Sequence, residues 1–136
     1  MRPDVSTAAA VLGDLLATDI APALTGFRAS NAGMIGMMMK MMAEEWDRAA
    51  SRLVEENAAI RVLLRQGGDE ALGSGEDRDL RVSVLEAEND RLRAALIVLH
   101  ARCEATEGPE ARALEDAIWD ELRRSVERRR ISLANF

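Results

Sequence analysis

Two phrases decide the fold, LVEENAAIRVLL (Leu53–Leu64) and LEAENDRLRAAL (Leu85–Leu96). They match at Leu53/Leu85, Glu56/Glu88, Asn57/Asn89, Ile60/Leu92, Arg61/Arg93 and Leu64/Leu96, a constant offset of 32 residues. Apolar residues recur at spacings of three and four in both, with no glycine or proline, so each phrase reads as an amphipathic helix. At roughly 100° per residue, Leu53, Ile60 and Leu64 set a seam with Glu56 and Asn57 on its flanks. Polar groups so placed are at least half buried and need partners, which Arg61 and Arg93, one turn beyond the asparagines, are placed to supply. Glu56, Asn57, Arg61, Glu88, Asn89 and Arg93 therefore read as a polar seam that fixes helix register, because a polar residue in a seam penalises misaligned pairing.

Working outward, the periodicity around the first phrase extends over about 31–66, with Ser30 or Asn31 as a cap and Gly67 and Gly68 as the stop. The second phrase lies in a helix over about 78–106. Between them GGDEALGSGE holds four glycines and several acids, and 67–77 reads as a flexible hairpin loop turning near residue 72. An earlier helix over about 7–28 carries Val11, Leu12, Leu15, Leu16 and Ile20 and is expected to kink near Pro22. Gly108 followed by Pro109 marks a stop and a restart. A last helix over about 109–130 carries Ala113, Leu114, Ala117, Ile118, Leu122 and Val126. The expected fold is all-α: a single domain over 1–136, built as an antiparallel up-and-down bundle of four helices around a long helical hairpin.

Composition agrees with that class. Of 136 residues 48% are hydrophobic and only four are aromatic, a balance that favours helices over sheets. The net charge of −6 argues against general nucleic-acid binding, which needs Lys and Arg to neutralise phosphates. Lys40 is the one lysine among 18 basic residues, a bias in keeping with a bacterial source of high GC content. Cys103 stands alone, so no internal disulfide is expected and a cytoplasmic setting is the simplest fit. Asp4, Asp14 and Asp19 interrupt the apolar N-terminal stretch, so no export signal is expected there, and no membrane span is expected in the chain.

The run GMIGMMMKMMAEEW (Gly33–Trp46) places five methionines in the six positions Met37–Met42. It is too short for a membrane span and belongs to a longer polar helix. Extrapolating the seam of Leu53 and Ile60 along that helix puts Met38 and Met42 in the core, Lys40 almost opposite it, and Met34, Met37 and Met41 roughly 80 to 140° from the seam. That flank, with Gly33 and Gly36 allowing close approach, is expected to be an interface with a second subunit or another protein.

Fewer signals concern chemistry. His100, Cys103 and Glu104 share a helical face, and antiparallel pairing would set Glu44 and Glu45 opposite His100. Imidazole, thiolate and carboxylate groups are all competent ligands for a zinc-like ion. Glu56 and Glu88 invite comparison with di-iron helical bundles, whose Glu-x-x-His motif is not met, since Ile97 stands three places before His100. Metal candidates are thus Glu56, Glu88, His100 and Glu104, none in a complete motif. No phosphate-binding loop, nucleophile elbow or zinc-finger spacing occurs, so no cofactor and no enzyme class is indicated. Arg123, Arg124, Arg128, Arg129 and Arg130 form a basic patch that complements the last helix's dipole or docks an acidic protein surface. The expectation is a cytoplasmic homodimer acting through protein contact, with a metal- or ligand-binding bundle as the alternative.

Overall fold

The computed structural model describes residues 4–132. Residues 1–3 and 133–136, the ends of the expected 1–136 domain, lie outside the described residues. The protein is all-helical, with no strand among the described residues: α1 (Val5–Leu15), α2 (Phe27–Gln66), α3 (Glu70–Gly73), α4 (Val82–Glu104) and α5 (Pro109–Arg128). The chain divides into two compact units, Met1–Ala49 with Arg130–Phe136, and Ala50–Arg129.

In the first unit α1 is capped by Asp4, whose carboxylate accepts from the Ser6 amide, and it stops well short of residue 28. A π-helical turn over Leu16–Ile20 and a 3₁₀ turn over Ala21–Ala23 follow, and Leu24 is extended. Pro22 explains this loosening: it offers no amide and its ring crowds the carbonyl four residues back, so the ladder widens before it breaks. Residues 27 and 28, expected in the first helix, begin α2 instead. Val5–Ala23 is, among the described residues, a helical stretch long and apolar enough to cross a membrane by length and composition, despite Asp14 and Asp19.

The inner seam of this unit is made of small residues. Ala32, Gly36 and Ala43 of α2 are buried, and Gly13 of α1 meets Gly36 so closely that a Cβ on either would lie 2.7 Å from the other's carbonyl oxygen. Lys40 lies over Gly13 and pairs with Asp14 at 2.7 Å, so it faces α1 and not away from the core. Met38 and Met42, expected inside, are 55% and 65% exposed. The buried stripe follows a repeat near 3.5 residues, not the roughly 3.6 of an ideal straight helix. An ideal helix drifts about 20° per heptad from that repeat, and three heptads separate Ala32 from Leu53.

In the second unit the expected antiparallel hairpin is not found. Asn57 contacts Leu85 and Asn89 of α4, while Gly67, just past α2, meets Leu99 and Arg102. Residue numbers rise together, so this part of α2 runs parallel to α4. Parallel pairing sets equivalent seam positions of a repeat opposite each other, which is what a constant offset supplies. The segment 67–77 is correspondingly not a hairpin turn. Gly68, at φ 88°, ends α2, and Asp69 caps α3 by accepting from the Leu72 amide. Gly73 packs on Arg65, where a Cβ would meet that side chain at 2.7 Å, and the chain returns alongside α2 as far as Asp77. Only then does α4 begin.

The seam of α4 is Leu85, Asn89, Leu92, Leu96, Leu99 and Cys103, all buried, at strict alternations of four and three. Helix α5 runs antiparallel to α4, since Trp119 meets His100 and Arg129 meets Asn89. It closes a three-helix core in which Ile60, Leu64, Leu92, Leu96, Leu99 and Ile118 pack together. Val126, expected on the apolar face of the last helix, is exposed.

Candidate functional site

The largest concentration of buried polar groups lies at the middle of Ala50–Arg129, where α2, α4, α5 and the returning segment converge. Asn57 and Asn89 occupy the same seam position of the two phrases, and the Asn89 amide donates to the Asn57 oxygen at 2.9 Å. The Asn57 amide turns to Asp77 at 3.3 Å and the Leu85 carbonyl at 3.4 Å. Arg61, one turn on, donates to both oxygens of Asp77 at 3.0 and 2.7 Å, and to Glu88 at 3.0 Å. The Arg61 and Asp77 side chains are each only 6% exposed.

Glu56 anchors the other side. It is 1% exposed, and its carboxylate accepts from Arg93 at 2.7 Å and from Arg129 at 3.0 to 3.2 Å. Arg129 also reaches the Asn89 oxygen at 3.4 Å, so the two halves join into one network. Burial works to raise the Glu56 carboxyl, but hydrogen bonds and charge from Arg129 and charge from Arg93 outweigh it and hold the group below the usual carboxylate range. Glu88 is likewise lowered, chiefly by its hydrogen bond to Arg91, then by Arg61. These acids are held ionised with their oxygens committed to guanidinium groups. The arrangement suits register and orientation, and not proton transfer, which needs a group free to exchange its proton with substrate.

All six residues of the polar seam are therefore drawn into one network. Asp77 and Arg129 also join this network, and Glu121 forms a separate buried ion-pair cluster on α5. Asp77 lies in an irregular segment whose return path has no sequence signature. Arg129 belongs in sequence to the run of C-terminal arginines, which by itself suggests a surface patch. Glu121, buried on α5 and paired with Arg128 and Arg124, was legible, because Leu114, Ile118, Glu121 and Ser125 alternate at four and three. The C-terminal arginines are engaged inside the chain: Arg123 with Asp120, Arg124 and Arg128 with Glu121, Arg129 with Glu56. Arg130 offers its carbonyl to Arg48. As metal ligands Glu56 and Glu88 are disfavoured by the arginine cations against each of them.

A second feature belongs to Met1–Ala49. With glycine and alanine inside, its large apolar residues lie outside. Met34, Met37, Met38 and Met42 of α2 are exposed, as are Val11, Leu12 and Leu15 of α1, while Met41 is half-buried. Gly36 is occupied by α1 of the same chain, whereas a Cβ at Gly33 would meet nothing within 4 Å. Glu44 accepts from Arg48 and from the Ser132 amide and hydroxyl, so its carboxylate is taken up within this unit.

No protein-family model matches the chain, and neither a curated protein nor a solved structure is similar to it.

Proposed function

We propose that the protein acts through protein contact as a homodimer, and that the apolar surface of α1 and α2 in Met1–Ala49 is the dimer interface. The observation that carries this reading is the exposure of Met34, Met38 and Met42, at 58%, 55% and 65%, on a two-helix unit whose inner seam is glycine and alanine. Two helices packed on small residues bury little apolar area, and the stabilisation lost, at about 25 cal/mol per Å², has to come from a further contact. A second copy meets the requirement: its patch is equally apolar, and a two-fold axis makes one surface complementary to itself. One charge beside it is also neutralised locally, since Lys40 is paired with Asp14. Two such hairpins would form a four-helix arrangement between subunits, with methionine supplying the adaptable packing.

Sedimentation tests it. The wild type is expected to be dimeric at micromolar concentration, and Met38→Glu with Met42→Glu to be monomeric with its helical signal retained. A monomeric wild type overturns the interface. Flotation of the wild type with phospholipid vesicles, abolished by the same substitutions, would show that a bilayer and not a second copy covers the surface, an outcome open to Val5–Ala23 by its length and composition.

A further inference from the structure

A different cluster lies between α4 and α5. His100 and Glu104 stand one turn apart on α4, and Glu115 on α5 completes a set whose donor atoms all lie within 4.8 Å of one another. Because α4 and α5 are antiparallel and His100 is level with Trp119, Glu104 and Glu115 are level too. Two carboxylates thus face each other across a helix pair. Elsewhere in this unit the buried carboxylates Glu56, Asp77 and Glu121 are met by arginine. Here no hydrogen bond or ion pair from Arg or Lys reaches either acid among the described residues.

The imidazole adds an independent observation. His100 Nε2 is buried and has no hydrogen-bond partner, an arrangement that costs stability unless something meets that nitrogen. Its nearest carboxylate oxygen, on Glu104, is 3.9 Å away, too far for a hydrogen bond and close to the spacing of two ligands on one ion. Trp119 packs edge-on against the ring, with centroids 5.2 Å apart at 85°, which orients the imidazole. Glu104 and Glu115, on the more open side, need only side-chain rotation to close the donor spacing.

We propose that His100, Glu104 and Glu115 bind a divalent transition-metal ion of the zinc type. One imidazole nitrogen and two carboxylate oxygens form a borderline donor set that suits Zn²⁺, with water completing the coordination. The ion would lie between the facing acids, offset their repulsion and tie α4 to α5. The proposal is independent of the dimer interface, which lies in the other unit.

Equilibrium dialysis of the full-length protein against Zn²⁺ is the test. One ion per chain is expected, with affinity falling on the order of 10-fold or more in Glu104→Gln with Glu115→Gln, since even an outer-shell partner is worth that much. Those two side chains contribute little to the core, so the variant should keep its fold, checked by circular dichroism. Cys103→Ser should bind as the wild type does. Absence of saturable binding by the wild type, undiminished binding by the glutamine variant, or loss of binding with Cys103 would each overturn the assignment.

Discussion

One helix serves two cores with opposite contents. In Met1–Ala49 the inward positions of α2 are Ala32, Gly36 and Ala43, and the methionines lie outside. In Ala50–Arg129 the inward positions are Leu53, Ile60 and Leu64 together with Glu56, Asn57 and Arg61. Apolar character alone therefore does not decide burial along this helix. Where the partner helix approaches closely, small residues go inside and large ones are displaced outward. Where two partners and a returning segment surround the helix, even charges can be enclosed, provided each finds a hydrogen-bonding group.

The sharpest way to break the contrast is to strand a buried charge. Arg61→Met leaves Asp77 enclosed without its cation and should cost about 3–5 kcal/mol of stability in urea unfolding, the penalty of breaking a buried pair. A loss under about 1 kcal/mol would mean that Asp77 escapes to water and that the network is dispensable. Next in size is a matched pair of truncations. Leu92→Ala, at a fully enclosed position, should cost about 2–5 kcal/mol, whereas Met42→Ala should change the stability of the monomer by about 0.5 kcal/mol or less. Equal losses at the two sites would erase the distinction between the cores.

Acid offers a subtler probe. Glu56 and Glu88 titrate lower in the folded chain than their ordinary value of 4.5, so the unfolded chain takes up protons first as the pH falls. Their contribution is present above that value and is lost as the pH drops through it and below. Denaturant midpoints measured against pH should decline over that window, and Glu56→Gln should flatten the decline. A slope unaltered by that substitution would place the acid sensitivity elsewhere. The smallest expected effect on stability comes from Asn57→Leu with Asn89→Leu. That protein should remain helical, with a thermal midpoint near the wild type's, but lose a unique register, seen as multiple conformations by NMR or altered association. A single unchanged conformation would remove the asparagines from register control.

Much of this was legible beforehand, and the gaps have physical causes. The all-helical class and the long second helix followed from periodicity, and the stop at Gly68 from glycine's tolerance of positive φ. The direction of α4 does not follow, because the glycines and acids of GGDEALGSGE equally fit a turn. Its glycines instead let the segment lie flat against Arg65 and Arg61 while Asp69 and Leu72 anchor it. The constant offset of the two phrases already carried the parallel solution. Among the metal candidates, His100 and Glu104 were singled out by spacing on one helix. Glu115 was invisible until the pairing of α4 with α5 was known.

The parallel pairing also shapes how this unit must form. In a helical hairpin the contacts nearest the turn close short loops, and the rest zip up behind them. Here the Asn57–Asn89 contact closes a loop of 32 residues, and the other equivalent pairs of the two phrases share the same separation. Each doubling of loop length adds only about 0.6 kcal/mol to closure, so doubling this connector with a Gly-Ser insert should slow folding by roughly threefold. What the topology removes is the early, local step. The α4–α5 pair can still close locally across Gly108 and Pro109, but the α2–α4 seam should wait on a collision between distant segments.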